Sequence, residues 1–137
     1  MLTIKIITPE AVIFYKKKVN SITLQTPEGE INILPDHQPI LSILKTGEMK
    51  VCTRIKKIYF VVDNGFIQCT NNLVLVLTEA AVDLKLIDLI SVNKQKKRAV
   101  QALQVAREKD VNSIEIKNFE SIIHFANEQI LVKKKHN

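Results

Sequence analysis

The chain has 137 residues, 46% of them apolar, and a formal net charge of +6. That length suits one ordinary domain or two small ones with enough apolar side chain for a core. Its apolar runs, such as YFVV and LVLVL, fall far short of the roughly 20 residues a membrane-spanning helix needs. The positive balance invites a nucleic-acid reading, but aromatic residues make up only 5% and the lysines are scattered. A basic, solvated surface is the simpler expectation.

The N-terminus enters strand-like alternation at once in LTIKIIT, with no basic region followed by an apolar one and no Arg/Ser-rich transit segment. The run Lys16 to Lys18 is expected to protect an edge or a turn. In VNSITLQT, Val19, Ile22 and Leu24 fit a buried strand face with one irregularity. TPEG, Thr26 to Gly29, carries Pro and Gly where a type I turn wants them and leads into EINIL, with Ile31 and Ile33 on one face. Then two prolines, Pro35 and Pro39, bracket Asp36, His37 and Gln38 before ILSIL resumes. Neither proline can donate to a ladder, so the segment is expected to be an exposed turn that displays His37.

Thr46-Gly47, Asn64-Gly65 and Asn71-Asn72 punctuate the apolar runs that follow. Asn-Gly is read as a hairpin turn because both residues tolerate positive φ. Tyr59, Phe60 and Phe66 lie in or beside apolar runs and read as core. Cys52 and Cys69 lack the close spacing of a zinc or redox motif and read as reduced packing residues. The turn spacing predicts about eight to ten short antiparallel strands in a β-sandwich.

The texture changes near Leu86, after which neither Gly nor Pro occurs. The expected organisation is α+β: a sandwich over residues 1–85 and a helical hairpin over 86–137. Asp88 or Ser91 could cap a first helix, in which Leu89, Val92, Ala99, Leu103 and Ala106 share a face that Lys96 interrupts. Asn112 with Glu115 resembles a capping box. Ile116, Phe119, Ile123, Ala126 and Ile130 then give a stripe suited to antiparallel packing. The tail LVKKKHN, with His136, is expected to be a frayed, solvated end.

No catalytic constellation is visible among three histidines, and Gly29, Gly47 and Gly65 stand singly, so no phosphate-cradling loop is expected. No cluster has metal-ligand spacing, and His124, flanked by Ile123 and Phe125, reads as a partly buried helix residue. An enzyme with His37 as general base would lack a nucleophile or any clear partner beyond Asp36 and Glu30. The run Lys94 to Arg98 is most simply a solvated helix face. On a mobile helix, Lys94, Lys97 and Arg98 could also engage an acidic partner, in a contact that salt would weaken.

Taken in order, the opening TPE, the GEINILPDHQPI segment, the TGEMKV turn, the GFIQCTNNLVLVL stretch and the two-helix end resemble the epsilon subunit of the F-type proton-translocating ATP synthase. The most specific part is Leu34-Pro35-x-His37-x-Pro39 with the acidic Glu30 before it. The resemblance implies a non-catalytic rotor subunit without a cofactor. Its sandwich would bind the gamma subunit and the c-subunit ring, with Glu30, Asp36, His37 and Gln38 facing the ring and Pro35 and Pro39 stiffening the loop. Its hairpin would extend toward the catalytic alpha and beta subunits and restrain ATP hydrolysis through Lys94, Lys97, Arg98 and Arg107.

Some bacterial relatives bind ATP through an Ile/Leu-Asp-x-x-Arg-Ala motif. This chain keeps Asp88 after Ile87 but has Ser91 and Val92 where Arg and Ala would stand, which predicts weak or absent ATP binding by the isolated chain. Asn71-Asn72 and the absent transit segment are similar to the plastid-encoded form, implying a peripheral place on the stromal side of the thylakoid membrane; the alternative is the cytoplasmic side of a bacterial plasma membrane. The competing reading, a small basic β-barrel that binds nucleic acid, would need exposed aromatic platforms.

Overall fold

The computed structural model describes residues 1–109 and 112–136. Among them the chain forms nine strands, a turn of 3-10 helix at Leu84–Leu86 and two α-helices. It divides into two compact units, Met1–Lys85 and Leu86–Asn137.

In the first unit, β1 (Leu2–Ile7) alternates strictly, burying Leu2, Ile4 and Ile6, as the two-residue period of a strand requires. β2 (Val12–Thr26) begins earlier than the sequence suggests and does two jobs. Its first half pairs with β1; its second half lies between β3 (Gly29–Ile33) and β5 (Gly47–Thr53). The register slips between Lys16 and Val19 against β1, and between Val19 and Ser21 against β5. Lys18 sits there at φ 58. Such bulges bend a strand, which lets β2 serve both layers of a sandwich. Residues 12–18 of β2 pair with β1 alone, so the lysine run lies on an edge of the first layer, as expected, and on a bulge within it.

One layer comprises β4 (Ile40–Leu44), β7 (Gly65–Thr70), β8 (Leu73–Thr78), β1 and the first half of β2; the rest of β2 with β3, β5, β6 (Lys57–Val62) and β9 (Ala81–Asp83) makes the other. Ile4, Ile6, Ile67, Val74 and Val76 from the first layer meet Leu24, Ile33, Met49, Val51 and Phe60 from the second in one core. Each such apolar side chain is worth about 1.5–3 kcal/mol when fully buried. Phe14 on β2 and Phe60 on β6 pack with ring centroids 4.9 Å apart. All ladders are antiparallel except β1 with β8, which run parallel. Parallel neighbours need a long crossover, and here every strand between them in sequence supplies it.

The Asn64-Gly65 step is not a hairpin. β6 pairs with β5 and β9, whereas β7 pairs with β4 and β8, so the step carries the chain from one layer to the other. Neither residue has positive φ. Gly65 is required by close approach instead: a Cβ there would lie 1.9 Å from the Leu77 carbonyl oxygen. Asp63 and Thr78 fasten the crossing. Thr46 Oγ1 donates to Asp63 Oδ1 at 2.9 Å and Thr78 Oγ1 to the Asp63 carbonyl at 2.7 Å. The tight turn is at Asn71-Asn72, both at positive φ (50 and 62), closing the β7–β8 hairpin.

In the second unit, α1 (Leu89–Glu108) buries Val92, Ala99, Leu103 and Ala106, as the stripe predicts. Asp88 caps it by accepting from the Ile90 amide at 3.1 Å. Asn112 caps α2 (Ser113–Lys135) by accepting from the Ile114 amide at 3.0 Å. The fully buried α2 positions are Ala126, Gln129 and Val132, so the seam runs further toward the C-terminus than expected. The tail is not frayed through Lys135, because Val132 is part of that seam. His124 is exposed, not partly buried, since the helix period turns it away while Ile123 and Ala126 face inward.

Candidate functional site

The Pro-bracketed segment connects β3 to β4 and so passes between layers. Asp36, His37, Gln38 and Pro39 are all exposed. The loop is nevertheless fixed. Asp36 adopts φ 63 and Asn72 φ 62, and the two interlock: the Asp36 amide donates to Asn72 Oδ1 at 2.7 Å, while Asn72 Nδ2 donates to Asp36 Oδ1 at 3.2 Å. The Asn72 carbonyl in turn accepts from the Thr3 amide at 2.8 Å, anchoring the pair on β1. Within the loop, the His37 amide donates to the Leu34 carbonyl at 3.2 Å, and His37 Nδ1 lies 2.8 Å from the Gln38 carbonyl oxygen. The outcome is a rigid polar protrusion on which His37 and Gln38 are displayed and Asp36 is engaged internally.

Glu30 does not join this cluster. It lies near the opposite end of β3, opposite Gln25, whose Nε2 donates to its carboxylate at 3.3 Å. Asn72 was missed as part of the loop because its partner lies far off in sequence; the two adjacent asparagines signalled only a turn.

A second surface also escaped the sequence reading. On the outward side of the first layer, Ile43, Phe66, Leu77 and Ile7 are register partners across β4, β7, β8 and β1. Leu41 is 79% exposed, and Ile43 and Phe66 are each 56% exposed. Phe66 is therefore a surface residue and not core, unlike Phe60. The signal was present in ILSIL and LVLVL, which are apolar at both phases of the strand period. Such strands are normally covered on both sides.

In α1, Lys94, Lys97 and Arg98 are exposed and, at spacings of three and four, share a face. Arg107 belongs elsewhere: its Nη2 donates to Glu120 Oε1 on α2 at 3.2 Å, both side chains about half exposed. Asp88 is occupied by its cap and by Ser91 Oγ, which donates to Asp88 Oδ2 at 3.0 Å. Cys52 and Cys69 are free thiols, and burial pushes the Cys69 thiol above its ordinary value. Among the described residues no group of His, Cys, Asp or Glu could hold a metal ion. Among the described residues no helix is long and apolar enough to cross a membrane.

Residues 1–84 match the family model of the ATP synthase delta/epsilon chain β-sandwich domain. The ATP synthase epsilon chain of Pediococcus pentosaceus is 28% identical over 113 residues, 82% of this chain and 81% of that one. A chloroplastic ATP synthase epsilon chain from Cyanidium caldarium is 38% identical over 93 residues, 68% of this chain and 69% of that protein. Among solved structures, a chain in the Euglena gracilis mitochondrial ATP synthase (OSCP/F1/c-ring) superposes with a TM-score of 0.74 at 22% identity, covering 96% of this chain and 80% of that one. At that identity the match speaks for the fold.

Proposed function

Because the chain belongs to the ATP synthase delta/epsilon family, we propose that it works as a non-catalytic rotor subunit, its sandwich anchoring it in the central stalk and its hairpin restraining ATP hydrolysis. The observation that carries this reading is the clamped loop. A stiff, polar protrusion gives up little ordering entropy on docking, which suits a contact that must transmit torque. His37 and Gln38 are its partner-facing groups toward the c ring; Asp36 serves mainly to hold the loop, and Glu30 would contact the ring as a separate element.

The apolar outer face of β4, β7, β8 and β1 is the surface assigned to the gamma subunit. Contiguous exposed apolar area of this kind marks protein contact sites. A solved Tetrahymena thermophila mitochondrial assembly described as central stalk and c-ring contains a chain similar to this one, with a TM-score of 0.54 at 18% identity, which agrees with a stalk position. Lys94, Lys97 and Arg98 would meet acidic surface on the alpha and beta subunits, with Arg107 joining them once released from Glu120. Similarity to a chloroplastic relative favours the stromal side of a thylakoid membrane, the bacterial plasma membrane being the alternative. Exposed Phe66 lies between Ile43 and Leu77 on the sheet face, a setting for protein docking more than for base stacking.

The test is reconstitution with a catalytic head stripped of its own epsilon subunit, comparing the full chain with a truncation after Lys85 that is first checked for cooperative unfolding. Both should bind the stalk, and only the full chain should suppress hydrolysis. Failure of the full chain to bind at micromolar concentration, with a head from a close relative, would refute the assignment.

A further inference from the structure

The strongest feature the proposed function leaves unused is a basic corner of the sandwich. Val19 pairs with Leu2 on one side and with Thr53 on the other, so the β2 bulge lies directly beside the β5–β6 turn. The bulge brings Lys17 and Lys18; the turn brings Arg54, Lys56 and Lys57, all exposed. Neither KKKVNS nor CTRIKKI contains an acidic residue. Among the described residues, none of these five cations has an ion pair. At the apex, Ile55 is 87% exposed, more than any other large apolar side chain described.

The turn is built to hold this tip. The Thr53 amide and Oγ1 both donate to the Lys56 carbonyl, at 2.9 and 3.1 Å, and the Lys56 amide donates back to Thr53 Oγ1 at 3.2 Å. Arg54 and Ile55 are thereby presented at the two central positions of a fixed turn. A projecting aliphatic side chain ringed by cations matches one kind of surface in particular, anionic outside and apolar just beneath. Nucleic acid fits less well, because no aromatic residue stands in the turn for stacking.

We infer that the corner formed by Lys17, Lys18, Arg54, Ile55, Lys56 and Lys57 binds an anionic phospholipid surface, with Ile55 entering the interface and the cations meeting the headgroups. Each basic group near such a surface is worth about fivefold in partitioning. The inference does not rest on the rotor assignment, and its test uses no other subunit.

The full chain is mixed with phosphatidylcholine vesicles with or without about one third phosphatidylglycerol, a fraction chosen to give a strongly negative surface, and sedimented at low and high salt. Binding should require the anionic lipid and fall with salt. Arg54→Gln with Lys56→Gln should reduce it about tenfold or more, in keeping with that per-charge effect. Ile55→Ser, at a site too exposed to affect folding, should reduce it several-fold at unchanged Tm. Lys133→Gln with Lys134→Gln, at the end of α2, should leave most binding intact. No binding to anionic vesicles overturns the inference, as does binding that Ile55→Ser leaves unchanged or that only the α2 variant removes. Salt-sensitive capture of a short RNA without vesicle binding would overturn it in favour of nucleic acid.

Discussion

Asn72 shows how much one side chain can organise when both its amide groups are used. It fixes Asp36, 36 positions earlier, and it does so from a left-handed backbone conformation that few residues other than Gly and Asn adopt readily. Asn72→Ala removes both side-chain bonds and strains the turn, and is expected to cost about 1–2 kcal/mol in urea unfolding. Asn72→Gly should cost less because it keeps the backbone comfortable. Both variants should loosen the loop, seen as faster amide exchange at Asp36 and His37. An unchanged urea midpoint for Asn72→Ala would show that the clamp contributes nothing. The free thiols behave differently for a related reason: Cys69 is buried and Cys52 only partly so. Deprotonation of Cys69 is disfavoured in the folded state. Above the ordinary thiol value the unfolded chain gives up its proton first, so this group's contribution to stability declines as pH rises.

Among the elements, the crossing at Asn64-Gly65 is the least tolerant of change. Gly65→Ala would drive a methyl group into the Leu77 carbonyl, which belongs to a paired strand and cannot swing aside. A loss of about 3 kcal/mol is expected, the upper end of the usual cost of overpacking because the obstacle is backbone, and thermal unfolding will measure it. The contrast with Asn71-Asn72 explains what could be read from the sequence. Local turn chemistry is shared by hairpins and layer crossings, and only the partners of the next strand distinguish them. The Pro-bracketed loop was legible because prolines exclude ladder pairing wherever they stand. The clamp and the apolar outer face were not, since each depends on residues brought together by the register of distant strands. At the start of α1, Asp88 is already committed to the Ile90 amide and the Ser91 hydroxyl. Titration calorimetry of the isolated chain should therefore detect no micromolar ATP binding, and a micromolar isotherm would show that Asp88 can leave its cap for a ligand.

At the scale of the whole molecule, the chain divides into two compact units, Met1–Lys85 and Leu86–Asn137, and the function proposed for the second is tested on its own residues. The Arg107–Glu120 pair is half exposed, and such pairs contribute about 0–1 kcal/mol. Arg107→Ala should therefore leave the unfolding temperature nearly unchanged while weakening inhibition of ATP hydrolysis, and Glu120→Ala should strengthen inhibition by freeing Arg107. Equal inhibition by both variants would remove Arg107 from the inhibitory face. The parallel pairing of β1 with β8 bears on synthesis itself. Thr3 is matched to Leu73, about 70 positions later, so on a ribosome adding about 5–20 residues per second the first strand waits several seconds for one of its two neighbours. During that interval it has only β2 to lie against, and its other edge stays open to any passing strand. A nascent chain stalled before Thr78 would thus leave this edge of β1 open to strand addition for as long as the stall lasts.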